Sequence, residues 1–426
     1  MREFETNYSL LSPFICDAVA TKEDRRLRRP TSTSMVVDDG EGGAAGGEGQ
    51  QGGPGTQPLP SAVTVKTDAD KKWLQLTGHQ GEVFMCVWNP ARRQLASGSA
   101  DGVCRLWGLT DIDAASIAAA SSADGSGEIA IRSAILTHSL YPCERFKDVT
   151  SVTWSPDGQL LATGCYDGMA RVWDAQGALH KELKEHTGPV FSLKWNRTGN
   201  LILSGSYDRR AIVWDVATGQ PVKSFLLHSA PVLDVDWRDA DTFATCSSDM
   251  AIYVCSVSSP RAEATRHLQG HTDEVNAVCW SPGGNYLASC SDDGAAKIWT
   301  AEEGLLHDLQ GHTKEIYTVR WTLTGPGSNN PTKPLLLCTA SFDGSVRVWD
   351  ALTGSLVHNL QRQMQPVYSI APSPNGDLLA TGSLGGYVCV WNMADGSLVS
   401  LCFPLLFFFF LFFFFLLCYS CPLSSC

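Results

Sequence analysis

The sequence predicts an all-β propeller of seven repeats, and two registers carry that prediction. The first is a row of tight turns. Seven segments, among them "LASGSADGVCRLW", "ILSGSYDRRAIVW" and "LASCSDDGAAKIW", read as apolar strand, turn, apolar strand. Their turn residues are Asp101, Asp167, Asp208, Asp249, Asp293, Asp343 and Gly385, spaced 66, 41, 41, 44, 50 and 42 residues apart. A period just above 40 with four short strands is that of a propeller blade. The second register is tryptophan. Of 13 Trp, six lie six residues after a turn Asp or Gly, and six more lie five residues after the Val or Ile that opens a repeat. Only Trp73 stands outside both.

Bulk composition bounds the function. The 426 residues carry a net charge of −12, which argues against sequence-independent grip on nucleic-acid phosphate, since that needs clustered Lys and Arg. The 15 Cys are odd in number and irregular in spacing, and most fall in apolar runs such as "MCVW" and "AVCW". They read as reduced, buried thiols of an intracellular chain, which leaves the sequons at Asn7 and Asn196 without meaning. Residues 1 to 20 hold no continuous apolar core of the signal-peptide kind. No phosphate loop follows a strand, no metal-ligand spacing appears, and no nucleophile–base pair is placed in a cleft. The expectation is a protein without catalytic residues, cofactor or metal.

Taken in order, residues 1–62 read as a disordered, low-complexity region. "DDGEGGAAGGEGQQGGPGTQPLP" is a flexible linker by composition. Its GxGxxG match at Gly47, Gly49 and Gly52 has no strand before it and no helix after it, so it does not read as a nucleotide loop. "KEDRRLRRP" at 22–30 suits either a nuclear import signal or an exposed charged tail. Residues 63–400 are the propeller. A small-residue insertion at 111–128 separates the first two repeats, and "TGPGSNNPTKP" at 324–334 is a Gly- and Pro-dense loop at a hairpin tip in the sixth.

These repeats resemble the WD-repeat family across about residues 73 to 400. The resemblance implies a polar tetrad in each blade. A His before the first strand bonds a Ser or Thr, the turn Asp orients the His, and the Trp closes the set. The full sets are His79, Ser97, Asp101 and Trp107; His186, Ser204, Asp208 and Trp214; His271, Ser289, Asp293 and Trp299; and His312, Thr339, Asp343 and Trp349. His138, Thr163, Asp167 and Trp173 form a looser set. The fourth repeat has His228, Thr245 and Asp249 but Cys255 for Trp. The seventh has Gln363 for His and Gly385 for Asp, and Pro372 where other repeats carry the first-strand Trp, which is expected to cost a ladder donor. A Ser–His–Asp set recurring several times per chain reads as a way to satisfy buried polar groups, not as a hydrolase triad.

The resemblance also implies a partner face. Two positions per repeat point there: the residue after the opening Val or Ile, and the residue before the turn Asp. They supply seven aromatics, Phe84, Tyr166, Phe191, Tyr207, Tyr317, Phe342 and Tyr368. Aromatics dominate interaction hot spots, so these are the expected protein-binding residues.

Within the family, "HSAPVLDVDWRDADTFATCSSDMAIYVC" and "HTKEIYTVRWTLTGPGSNNPTKPLLLCTASFDGSVRVWD" are similar to the transducin-beta-like, F-box-like WD-repeat corepressor subunits, which have a plant counterpart. That resemblance implies a nuclear scaffold in a transcription corepressor and histone deacetylase complex, with corepressor and deacetylase proteins and histone tails as partners. It also implies a LisH dimerisation motif, an F-box-like segment and an eighth blade. Residues 1–62 show no amphipathic 3.6-period stretch, so oligomerisation is not expected here. The eighth blade would follow residue 400, and without it the strand near "KWLQL" is expected to pair with the seventh repeat or to remain an unpaired edge. The competing reading is a substrate receptor of a cullin-type ubiquitin ligase, against which stand the blade ends "WDAQ", "WDVA" and "WDAL", all lacking Arg.

The stretch "FPLLFFFFLFFFFLLC" at 403–418 opens an aberrant tail over 401–426. Its uninterrupted apolar part, Leu405 to Leu417, is 13 residues, short of the roughly 20 a membrane helix needs. Phe, Leu, Ser and Pro all have pyrimidine-only codons, so the tail reads as a translated polypyrimidine tract from a retained intron, ahead of a tail anchor or a true domain end.

Overall fold

A computed structural model describes residues 61–68, 71–76, 78–109, 126–138, 148–362 and 365–402. Among them are thirty strands and no helix. They form seven antiparallel sheets, the blades of a propeller. Blades two to seven are four-stranded and sequential, and the first blade's sheet has six strands. The inner strands are Val83–Trp88, Val149–Trp154, Val190–Trp195, Val232–Trp237, Val275–Trp280, Ile316–Trp321 and Val367–Pro372.

The core lies between blades, because each sheet buries both faces against its neighbours. Leu183 and Val172 of blade two meet Val190, Leu193, Trp195 and Ile212 of blade three. Leu336, Val348 and Leu360 of blade six meet Val367, Ile370 and Trp391 of blade seven in the same way. This explains the second tryptophan register, which sequence left without a role. The indole Nε1 of Trp154 donates to Val87 O at 3.2 Å, Trp195 to Thr153 O at 3.1 Å, Trp237 to Lys194 O at 3.0 Å and Trp321 to Cys279 O at 2.8 Å. Each of these four Trp thus fills the seam with apolar area and ties its blade to the carbonyl row of the one before, whereas the buried Nε1 of Trp280 finds no such acceptor among the described residues.

Pro372 departs from the expectation. At the equivalent Trp280 the backbone N–H donates to Asp236 Oδ2 of the preceding blade at 2.7 Å, not to the ladder. Pro372 therefore sits where its strand is an edge, and what blade seven lacks is an inter-blade donor and an indole. The strand near "KWLQL" also departs from both readings given for it. Lys71–Leu76 pairs with Ser61–Asp68, which pairs in turn with the outer strand Ser126–Thr137 of blade one. Blade seven draws its outer strand from Leu398–Cys402. The described residues hold seven blades.

The seam between blades seven and one is thinner than the others. Val149, Val190 and Val275 open their inner strands fully buried, whereas every residue of Val83–Trp88 is partly exposed. Blade seven turns only a small cluster, Ala380 and Val390 with Ala371 and Leu378, to its far side. Tyr368 reaches across this seam: burial, then the charges of Cys86 and Glu82, push its phenol up. The loop at 324–334 joins the first two strands of blade six. Asn330 Nδ2 donates to Pro374 O of blade seven at 3.0 Å, and Gly327 leaves no room for a Cβ, which would lie 2.5 Å from Gly283 Cα of blade five.

Candidate partner-binding face and the polar tetrads

The four full tetrads assemble as the resemblance implied. In blade three, Asp208 Oδ2 lies 2.9 Å from His186 Nδ1, His186 Nε2 lies 2.7 Å from Ser204 Oγ, and Trp214 Nε1 donates to that oxygen at 2.8 Å. The sets on His79, His271 and His312 repeat these contacts within 2.7–3.1 Å. Each Asp also accepts the N–H of the residue after the His. Burial raises these carboxyls, but the His hydrogen bond, its charge and the backbone donors outweigh it, and Asp101 and Asp293 fall to about 2. An ionised Asp fixes the proton on Nδ1, so Nε2 accepts from the Ser hydroxyl. This is triad-like wiring, but Ser204 is wholly buried and its oxygen already accepts from Trp214. No substrate atom can reach it, and the set serves packing.

Three blades vary the pattern. In blade four His228 keeps Thr245 and Asp249 at 2.9 and 3.0 Å. Cys255 is buried in place of the Trp, and the Tyr253 ring covers His228 at 4.7 Å while stacking on His267. In blade two His138 Nε2 holds Thr163 at 2.7 Å, but Asp167 turns to Arg171 instead of the His. In blade seven Trp391 still donates to Thr381 at 3.0 Å. Gln363 lies outside the described residues. A Cβ at Gly385 would meet Gln365 Cγ at 2.8 Å, so no Asp fits that turn without displacement.

The two rim positions of each blade prove to be one structural unit. The first is the extra residue of a β-bulge: Phe84, Thr150, Phe191, Leu233, Asn276, Tyr317 and Tyr368 all fall at the register shift of an inner strand. Bulges re-aim side chains. The second position donates its N–H to the residue just before that inner strand, as Tyr207 does to Pro189 O and Phe342 to Glu315 O. The paired side chains therefore touch. Phe191 meets Tyr207 edge-on at 6.2 Å, Tyr317 meets Phe342 at 4.8 Å, and Asn276 donates to Asp292 Oδ1 at 2.7 Å. Tyr207 is 58% exposed, while Phe84, Tyr166, Phe191, Tyr317 and Tyr368 are half-buried. Phe342 is only 8% exposed and supports Tyr317 instead of facing solvent.

Carboxylates line the same rim. Glu82 is raised by burial and by the charge of Asp148. Asp292 is pushed up to about 6 by burial; Asn276 opposes this, and Glu274, Glu315 and Asp273 add to it. Among the described residues no group of His, Cys, Asp and Glu is arranged to hold a metal ion. Burial pushes the thiols of Cys86, Cys279 and Cys338 up to about 12.

Seven blades, four of them pinned by full Ser/Thr–His–Asp–Trp sets, with a bulge-built rim, define a WD-repeat propeller. All seven repeats match the family described as "WD domain, G-beta repeat", over residues 71–108, 137–174, 177–215, 219–256, 262–300, 303–350 and 354–392. The chain is 45% identical over 354 residues to WD40 repeat-containing protein HOS15 of Arabidopsis thaliana, covering 81% of this chain and 55% of that protein. It is 48% identical over 302 residues to F-box-like/WD repeat-containing protein TBL1X of Mus musculus, covering 71% and 55%. Among solved structures, the C-terminal WD40 domain of Sif2 superposes with a TM-score of 0.61 at 26% identity, over 74% of this chain and 82% of that one. The chain belongs to the WD-repeat family and, within it, to the transducin-beta-like branch with its plant counterpart. It spans about half the length of the curated relatives it matches.

Proposed function

We propose that the chain is a non-enzymatic interaction scaffold of a nuclear corepressor and histone deacetylase complex, and that the bulge-built rim is its partner surface. The observation that carries this reading is one rim whose bulge and turn positions present both aromatic rings and carboxylates. Tyr207 and Phe191 of blade three offer flat apolar area, and Glu82 with Asp148, and Asp292 with Glu274 and Glu315, place carboxylates at the corresponding rim positions of other blades. Such a face favours a basic protein segment, a histone tail among them, over nucleic acid. The transducin-beta-like resemblance supplies the complex. The test is affinity purification of the full chain from nuclear extract, followed by a deacetylase assay on an acetylated histone peptide. Co-purifying deacetylase activity is expected. Its absence, with cullin-type ligase subunits recovered instead, would overturn the reading.

A further inference from the structure

Four Ser-Pro dipeptides occur among the described residues, and three are structural. Ser155, Ser281 and Ser373 open the turn between first and second strands, each no more than 3% exposed. Their hydroxyls accept the N–H of Leu160, Tyr286 and Leu378 at 2.9, 3.1 and 2.9 Å. Ser259-Pro260 lies elsewhere, in the connection 257–263 between strands Ile252–Ser256 and Ala264–Leu268 of blade four. That connection carries bends and no turn, and Ser259 is half-buried between the exposed Ser258, Pro260 and Arg261. The Ser259 hydroxyl has no hydrogen-bond partner among the described residues. Ser258, beside it, is committed: its hydroxyl donates to Asp241 Oδ2 at 2.9 Å, where a phosphate would meet a carboxylate. The main chain of Ser259 instead meets a cation. Lys223 of blade three, its ammonium 5.6 Å from the Phe225 ring centroid, donates to Val257 O at 2.8 Å and to Ser259 O. Arg261 is a second cation, exposed and only loosely paired with Glu263 at 3.6 Å.

We propose that Ser259 is a phosphorylation site for a proline-directed protein kinase, and that Lys223 and Arg261 hold the phosphate. Pro260 biases Ser259 toward the extended backbone that a kinase cleft accepts. The Ser259 oxygen attacks the γ-phosphorus of a nucleoside triphosphate, the bond to the bridging oxygen breaks, nucleoside diphosphate leaves, and the hydroxyl proton passes to the kinase's carboxylate base. The new group carries about −1.5 to −2 charge. It ties the outer strand of blade three, through Lys223, to the 257–263 connection of blade four.

The test is to incubate the full chain with a proline-directed kinase and ATP and to map the phosphate by mass spectrometry. Phosphate is expected on Ser259 and absent from Ser155, Ser281 and Ser373, and Ser259→Ala should remove it from that peptide. An unmodified Ser259 in the folded chain, while a synthetic 252–268 peptide is labelled, would overturn the site, as would label on Ser258. Phosphorus NMR tests the cradle: Lys223→Gln should raise the phosphate's second pKa, and an unmoved value would overturn the role of Lys223.

Discussion

Asp167 accepts a 2.9 Å hydrogen bond from Arg171 Nη2, and His138 is left without the carboxylate that orients its five counterparts. The consequence is electrostatic. Burial first, then the Arg171 charge, lowers His138 to about 3, with Asp167 and backbone contacts opposing. The other tetrad histidines each face an ionised Asp.

This makes blade two the acid-sensitive blade. An unfolded His titrates near 6.5 and the folded one near 3, so between those values the unfolded chain binds one more proton and stability rises with pH. Lowering the pH from 6.5 to 5 should cost about 2 kcal/mol from this group alone. Urea titrations at both pH values measure it. His138→Gln should flatten the slope in that window, and an unchanged slope would count against the assignment.

The tetrad carboxylates should differ in worth according to what they hold. Asp208 accepts from His186, Thr187 N and Arg210 N, so Asp208→Ala should destabilise by about 1–3 kcal/mol through unpaired buried donors. Asp167 holds Met169 N and the buried Arg171, which also faces Glu182 at 3.8 Å, so a second carboxylate remains and Asp167→Ala should cost less than Asp208→Ala. Thermal melting of both variants checks the order, and equal losses would refute it. The depressed carboxyls add stability above pH ~4 that is lost as pH falls toward about 2.

The thin seam predicts where the propeller opens. Amides of Val83–Trp88 and of residues 367–371 should exchange with solvent faster than those of Val190–Trp195, because fewer buried apolar groups resist local opening there. Hydrogen exchange read by mass spectrometry decides this, and uniform protection around the ring would show the seam to be as strong as the rest.

The blades and four tetrads were legible because strand period, turn Asp and Trp hold fixed spacings that backbone geometry enforces. The rest depended on contacts between repeats. Nothing in the Asp167 register tells that Arg171, four residues on, will claim it, although Arg two residues before the tetrad Trp recurs at Arg105, Arg171 and Arg347. Tyr207 and Phe342 share one sequence position, yet one is exposed and the other buried, since Tyr317 lies close against Phe342 at 4.8 Å. The indole-to-carbonyl ties and the rim bulges appear only once neighbouring strands are in place.

The claim that the rim is the partner surface is tested most directly by binding with Tyr207 removed. Recovery of corepressor and deacetylase partners on the full chain should be compared for wild type, Tyr207→Ala and Val222→Ala, the last an exposed outer-strand control. A hot spot of about 2 kcal/mol corresponds to roughly a thirtyfold weaker complex. Tyr207→Ala is expected to lose the partners with an unchanged melting temperature, and Val222→Ala to keep them. Equal recovery on all three proteins would contradict the account.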